Sequence, residues 1–108
     1  MNVRWSKRAA TEFSETIAYI TREFGQKSAQ KVSNQINNAI ANISNFPEIG
    51  AVSFIDEETE IEFRELHSYL NSVVYAIHCD EIYIVSIWSN RQDRDDLYFA
   101  LRQESKDL

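Results

Sequence analysis

Residues 72–89 read SVVYAIHCDEIYIVSIWS. Two runs rich in β-branched and aromatic residues, Ser72–Cys79 and Ile82–Ser89, flank Asp80 and Glu81. Such residues suit a pleated, half-buried surface, so the segment predicts two paired strands. Asp80-Glu81 is the expected turn, although it lacks the glycine common in two-residue hairpin turns. That turn would set Cys79 opposite Ile82, Ile77 opposite Ile84, Tyr75 opposite Ser86 and Val73 opposite Trp88. The other face would hold Val74, Ala76, Val85 and Ile87, with His78 beside Tyr83. Both faces are mostly apolar. A sheet with helices on one side only shows polar residues on the other. The second face therefore needs a cover, from the chain end, a second copy or a partner.

Upstream, Glu62–Leu66 (EFREL) predicts a further short strand, and 47–59 (PEIGAVSFIDEET) an exposed loop. Before that loop, Ala29, Val32, Ile36, Ala39, Ile40, Ile43 and Phe46 form a helical stripe that Pro47 ends. Ala10, Phe13, Ile17, Ile20 and Phe24 form an earlier stripe. Ser6 is its expected N-cap, Gly25 its stop, and Glu12, Glu15 and Arg22 fall off it. Two amphipathic helices joined at one glycine make a helical hairpin that needs a third surface to cover. Asn2–Trp5 (NVRW) predicts a short extended run. Downstream, NRQD (90–93) breaks the strand pattern. Asp95 and Asp96 then open a terminal helix carrying Leu97, Tyr98 and Leu101. The expected fold is α+β in the order β-α-α-β-β-β-α, an antiparallel sheet with the helical hairpin packed on one face. The length of 108 residues suits a single domain over 1–108.

Composition limits function. The net charge is −6, the wrong sign for sequence-specific or phosphate-led nucleic-acid binding. Residues 1–55 are slightly basic and the remainder strongly acidic. Asp56, Glu57, Glu58, Glu60 and Glu62 read either as a solvated loop or as a surface for a basic partner segment. A single cysteine, Cys79, excludes an intramolecular disulfide, fits a reducing compartment and is expected as a small core hydrophobe. No apolar run reaches the roughly 20 residues of a membrane span, and MNVRWSKRAATEF lacks a signal-peptide core, so a cytoplasmic protein is expected. Neither paired Cys/His ligands nor a glycine-rich phosphate loop is present, and no metal or cofactor is expected.

The element order, together with SKRAATEFSETIAYITREFG, FPEIG, FREL and VVYAIHCDEIYIVSIWSNRQD, resembles the RelE/ParE superfamily of bacterial type II toxins over nearly the whole chain. RelE-like members cut messenger RNA on the ribosome, ParE-like members act on DNA gyrase, and both are held inactive by an antitoxin. The resemblance therefore implies a toxin with a cognate antitoxin as partner and gyrase or the ribosome as target. Metal-independent RNA cleavage needs cationic donors where charge grows on phosphorus and groups that move protons. For that branch the resemblance points to Arg64, Arg91 and Tyr98 as the catalytic set. EETEIEF (57–63) places acids where RelE-like members carry lysines, and Ser89 stands where several members have histidine. These departures favour the ParE-like branch, which needs no catalytic set. A non-toxic interaction domain of the same fold is the third reading. Structural alternatives exist for each residue: Arg64 paired with Glu62 or Glu65, Arg91 with Asp93 or Asp95, Tyr98 and His78 in packing, and His67 in a structural role.

Overall fold

A computed structural model describes residues 1–108. The elements are β1 (Asn2–Trp5), α1 (Lys7–Phe24), α2 (Gln26–Asn45), β2 (Ala51–Ile55), β3 (Glu62–Ser68), β4 (Asn71–His78), β5 (Glu81–Ser89) and α3 (Arg94–Ser105). Ser6 starts α1 as expected, its Oγ accepting the Ala9 N–H at 3.0 Å. Gly25, at φ +91°, both ends α1 and begins α2. The core face of α1 begins at Ala9 rather than Ala10, and the last members of the two stripes, Phe24 and Phe46, are 64% and 66% exposed.

The strands form one sheet in the order β1-β5-β4-β3-β2. Two features go beyond the sequence reading. Residues 51–55, expected within a loop, are an edge strand antiparallel to β3. Its apolar members, Val52, Phe54 and Ile55, are short of a clear alternation, and the neighbouring acids mask them in sequence. The other edge, β1, runs parallel to β5, so the sheet is mixed rather than wholly antiparallel. The α1–α2 hairpin carries the chain from β1 to β2 at the opposite edge, and β2, β3 and β4 lead back to β5, a connection long enough for parallel pairing.

The central hairpin turns one residue earlier than expected. His78 pairs with Glu81, leaving Cys79 and Asp80 as the turn with φ of +50° and +61°. Positive φ at both turn residues matches the right-handed twist of the strands, and Asp tolerates it. Cys79 is therefore exposed at a turn and not in the core. Val85 is an extra residue on β5, lying between the pairs Tyr75↔Ile84 and Val74↔Ser86. This bulge moves Ile87 to the helical-hairpin face and Trp88 to the other. Val74, Ala76 and Val85 share a face as predicted, and His78 packs beside Tyr83 with ring centroids 6.4 Å apart.

Two cores result. Ile36, Ala39, Ile40 and Ile43 of α2 and Ala9 of α1 pack on Val73, Tyr75, Ile82, Ile84 and Ile87. On the reverse face, Leu97 and Leu101 of α3 cover Phe63, Val74, Ala76, Val85 and Trp88. The chain end is thus the cover that the two-sided apolar sheet demanded. Each fully buried aliphatic side chain contributes about 1.5–3 kcal/mol. The second core is also fixed by polar contacts. Asp56 Oδ2 accepts from Thr59 N–H at 3.0 Å, Thr59 Oγ1 at 2.7 Å and Ser105 Oγ at 3.0 Å. Asp56, first of the acid cluster, is thus buried, whereas Glu57, Glu58, Glu60 and Glu62 are exposed.

Candidate functional site

One turn after another, α1 places Glu12, Glu15, Thr16, Tyr19 and Ile20 along a stripe beside its core face. This stripe forms one wall of a cleft of 630 Å³. Val32 of α2, Leu70 in the β3–β4 turn, Ile87 near the end of β5, and Arg91 are among the other residues that line it. β1 ends opposite Ile84, so β5 beyond that point has no strand on its outer side. Side chains of the first helix and its cap take over there. Ser6 Oγ donates to the Val85 carbonyl at 3.1 Å, and Glu12 Oε1 accepts from Ser86 Oγ at 2.8 Å and the Ile87 N–H at 3.2 Å. Burial pushes the Glu12 carboxyl up from its ordinary value, against the opposing pull of those hydrogen bonds and of Arg8. Arg8 itself pairs with Glu104, 3.3 Å away. Glu12, Glu15 and Arg91 belong to no ion pair.

The three residues singled out for RNA cleavage do not converge. Arg64 lies on the helical-hairpin face, directly opposite the buried Tyr75. Its Nη1 donates to the carbonyls of Glu48 at 3.2 Å and Gly50 at 2.8 Å, not to Glu62 or Glu65. Tyr75 Oη supports the same segment, donating to the Pro47 carbonyl at 2.6 Å and accepting the Gly50 N–H at 2.9 Å. Tyr98 lies across the sheet, among the residues under α3. It stacks on Phe54 with centroids 5.2 Å apart, and its Oη accepts from Arg94 Nε at 3.1 Å. Arg91 opens into the cleft, and neither Asp93 nor Asp95 pairs with it. Asp93 instead caps α3 by accepting the Asp95 N–H at 2.9 Å.

Sequence reasoning missed two groups. Arg94 holds the buried carboxylate of Glu65, which raises the guanidinium's affinity for its proton. Glu12 looked like a solvent-facing residue because only the register of β5 reveals the amide it serves. His67 Nδ1 lies 2.8 Å from Ser72 Oγ, which donates to Asn90 Oδ1 at 2.8 Å, so the ring is tied into a local hydrogen-bond network. No group of three or more His, Cys, Asp and Glu side chains is arranged to hold a metal ion.

A family model for the ParE toxin of type II toxin–antitoxin systems, parDE, matches residues 3–94. The chain belongs to the ParE toxin family. It is the toxin component of a type II toxin–antitoxin module, and a cognate antitoxin is its partner. Among solved structures it is similar to a chain described as the chromosomal ParDE TA system from P. aeruginosa. The TM-score is 0.66 at 19% identity, covering 82% of this chain and 95% of that one, a likeness of fold. No curated protein matches the sequence. In this ParE-family toxin, nearly all of α3 lies beyond the family-matched residues, so the cover over the second sheet face is additional to them. No helix is long and apolar enough to cross a membrane.

Proposed function

We propose that this toxin, one domain over residues 1–108, inhibits growth in the cytoplasm by binding and poisoning DNA gyrase, without bond-breaking chemistry of its own. The observation that carries this reading is the dispersal of the ribonuclease set. Arg64 spends its guanidinium on two backbone carbonyls, and the sheet separates it from Tyr98. A metal-independent nuclease needs donors and proton carriers gathered around one phosphate. The acidic stretch EETEIEF and a net charge of −6 also oppose an RNA substrate.

Neutralisation by the antitoxin has two suitable surfaces. The outer edge of β2 offers unpaired backbone groups beside the exposed Val52 and Ile55, which suits strand addition. The cleft beside α1 suits an apolar segment. Induction of the toxin alone tests the target. Blocked DNA replication with intact messages is the expected result. Codon-phased cuts on primer extension, abolished by Arg64→Ala, would replace this reading with ribosome-dependent cleavage. Unimpaired growth with a tightly retained partner would reduce the chain to an interaction domain.

A further inference from the structure

The turn between β3 and β4 consists of Tyr69 and Leu70, closed by the pair Ser68↔Asn71. Of the two, only Tyr69 has a positive φ, +60°. Two-residue hairpin turns of this pattern take glycine at that position, where a Cβ is strained. Here the position carries a tyrosine that is 75% exposed, the highest value among the exposed large hydrophobic residues. The tip is also held firmly from below. Asn71 is buried and pairs with Ser68 on one side and Ser89 on the other. The Leu70 carbonyl accepts the Asn90 N–H at 3.1 Å, and Asn90 Oδ1 accepts from Ser72 Oγ. Backbone strain persists where the surrounding structure over-determines it, and such sites cluster at ligand clamps and switches.

Tyr69 lines a shallow groove of 330 Å³ between α2 and β3. Gln35, Asn38 and Asn42 also line it, and their steps of three and four set them in one row along α2. Their side chains make no hydrogen bond within the chain, whereas Gln30 and Asn37 elsewhere on α2 bond to Asn34 and Ser33. Ile49, itself exposed, and Leu66 add apolar surface. No Asp, Glu, Lys or Arg lines the groove, in a chain with 11 basic and 17 acidic residues. Free amides both donate and accept, as the N–H and C=O groups of an extended main chain require. Without a cation the groove has nothing to hold a phosphate. We propose that this tip and groove dock the toxin on the gyrase protein, by receiving an extended, uncharged peptide segment of it. An apolar side chain of that segment packs on Tyr69, and its main chain bonds to the amide row. The inference rests on the gyrase reading and adds the surface that makes the contact, protein to protein and not through DNA. Tyr69 lines this groove and not the cleft beside α1, so the site is distinct from that cleft.

The test uses the full toxin and purified gyrase in a DNA-supercoiling assay. Wild type is compared with Tyr69→Gly, Asn38→Lys and, as an exposed aromatic on α3, Phe99→Ala. Each variant is also melted and its affinity for the antitoxin encoded beside it measured. Glycine relieves the strained turn, so Tyr69→Gly is expected to melt at least as high as wild type. Half-inhibition of gyrase should nevertheless need at least ~10-fold more Tyr69→Gly or Asn38→Lys toxin. Inhibition by Phe99→Ala, and antitoxin affinity throughout, should stay within about twofold of wild type. A gain in stability with a loss of inhibition is an outcome that a merely structural tyrosine does not give. Inhibition by both groove variants within about twofold of wild type overturns the docking assignment and leaves the gyrase reading intact. An antitoxin affinity that falls in step with inhibition gives the groove to the antitoxin and overturns the assignment. Binding of a bare DNA duplex that Tyr69→Gly abolishes, or a wild-type dimer that it dissociates, overturns the peptide occupant. Failure of wild-type toxin to inhibit gyrase overturns the gyrase reading and the docking assignment with it.

Discussion

Glu12 and Ile87 are joined where the sheet runs out of strands: the carboxylate accepts the Ile87 N–H at 3.2 Å, just beyond the end of β1. A helix side chain thereby replaces a missing strand. Glu12→Ala leaves that amide and the Ser86 hydroxyl without their acceptor and is expected to destabilise the fold by about 1–3 kcal/mol. Glu12→Gln keeps an acceptor and is expected to cost less than ~1 kcal/mol at neutral pH. Because burial raises the Glu12 carboxyl, its protonation favours the folded state. Wild type should gain stability relative to Glu12→Gln as pH falls through the folded value, and lose that gain as pH rises. Melts of both proteins across an acid-to-neutral series measure the crossover; a constant difference would exclude the linkage.

The FPEIG segment gives a second prediction. A Cβ on Gly50 would lie 2.8 Å from the Tyr75 ring and 2.9 Å from the Glu65 carbonyl, closer than side chains tolerate. Gly50→Ala should therefore lower stability by roughly 1–3 kcal/mol. Tyr75→Phe, which leaves the Pro47 carbonyl and Gly50 N–H unpaired, should lower it by a comparable ~1–3 kcal/mol. Chemical denaturation of the two variants checks both.

Arg64 is expected to act as a clamp on that same segment. Arg64→Ala should cost about 1–3 kcal/mol by releasing the Glu48 and Gly50 carbonyls. At a temperature where the variant remains folded, growth inhibition should persist. Abolition of toxicity in a fully folded Arg64→Ala protein would return this arginine to the catalytic account.

The Glu65–Arg94 pair joins a glutamate side chain that is 5% exposed to an arginine side chain that is 43% exposed. Arg94→Ala strands a buried charge, and solvent around the arginine limits the loss to about 1–3 kcal/mol. Adding Glu65→Gln should recover part of it. A double-mutant cycle by thermal melting resolves the coupling.

Removing α3 after Asp93 exposes Phe63, Val74, Val85 and Trp88 together. The shortened chain should become insoluble or bind hydrophobic dyes. The milder Leu97→Ala should lower stability by about 2–5 kcal/mol. A soluble, cooperatively melting truncation would show that the first core suffices.

Periodicity made the helical hairpin legible, because its stripes are long and Ser6, Gly25 and Pro47 punctuate them. The apolar character of both sheet faces announced a cover, and α3 supplies it. Register was less accessible. Asp80-Glu81 was expected as the turn because it separates two strand-like runs, yet Cys79 and Asp80 adopt the positive φ. The Val85 bulge then exchanged the faces of Ile87 and Trp88, which no alternation rule reveals. β2 was hidden for a similar reason: five residues beside an acid cluster carry little pattern. Of the candidate residues, Arg91 alone lines the cleft, while Glu12 became visible only once β1 was seen to stop at Trp5.

Gly25 is the entire joint between the two long helices, at a φ of +91° that other residues adopt only under strain. With no slack between them, the rods hold a set angle, and α1 presents its side of the cleft ready-made. An antitoxin segment that docked on this cleft would then carry the entropic cost of ordering itself. Loosening this elbow with an inserted pair of glycines should slow the onset of neutralisation even if every contacting side chain is kept.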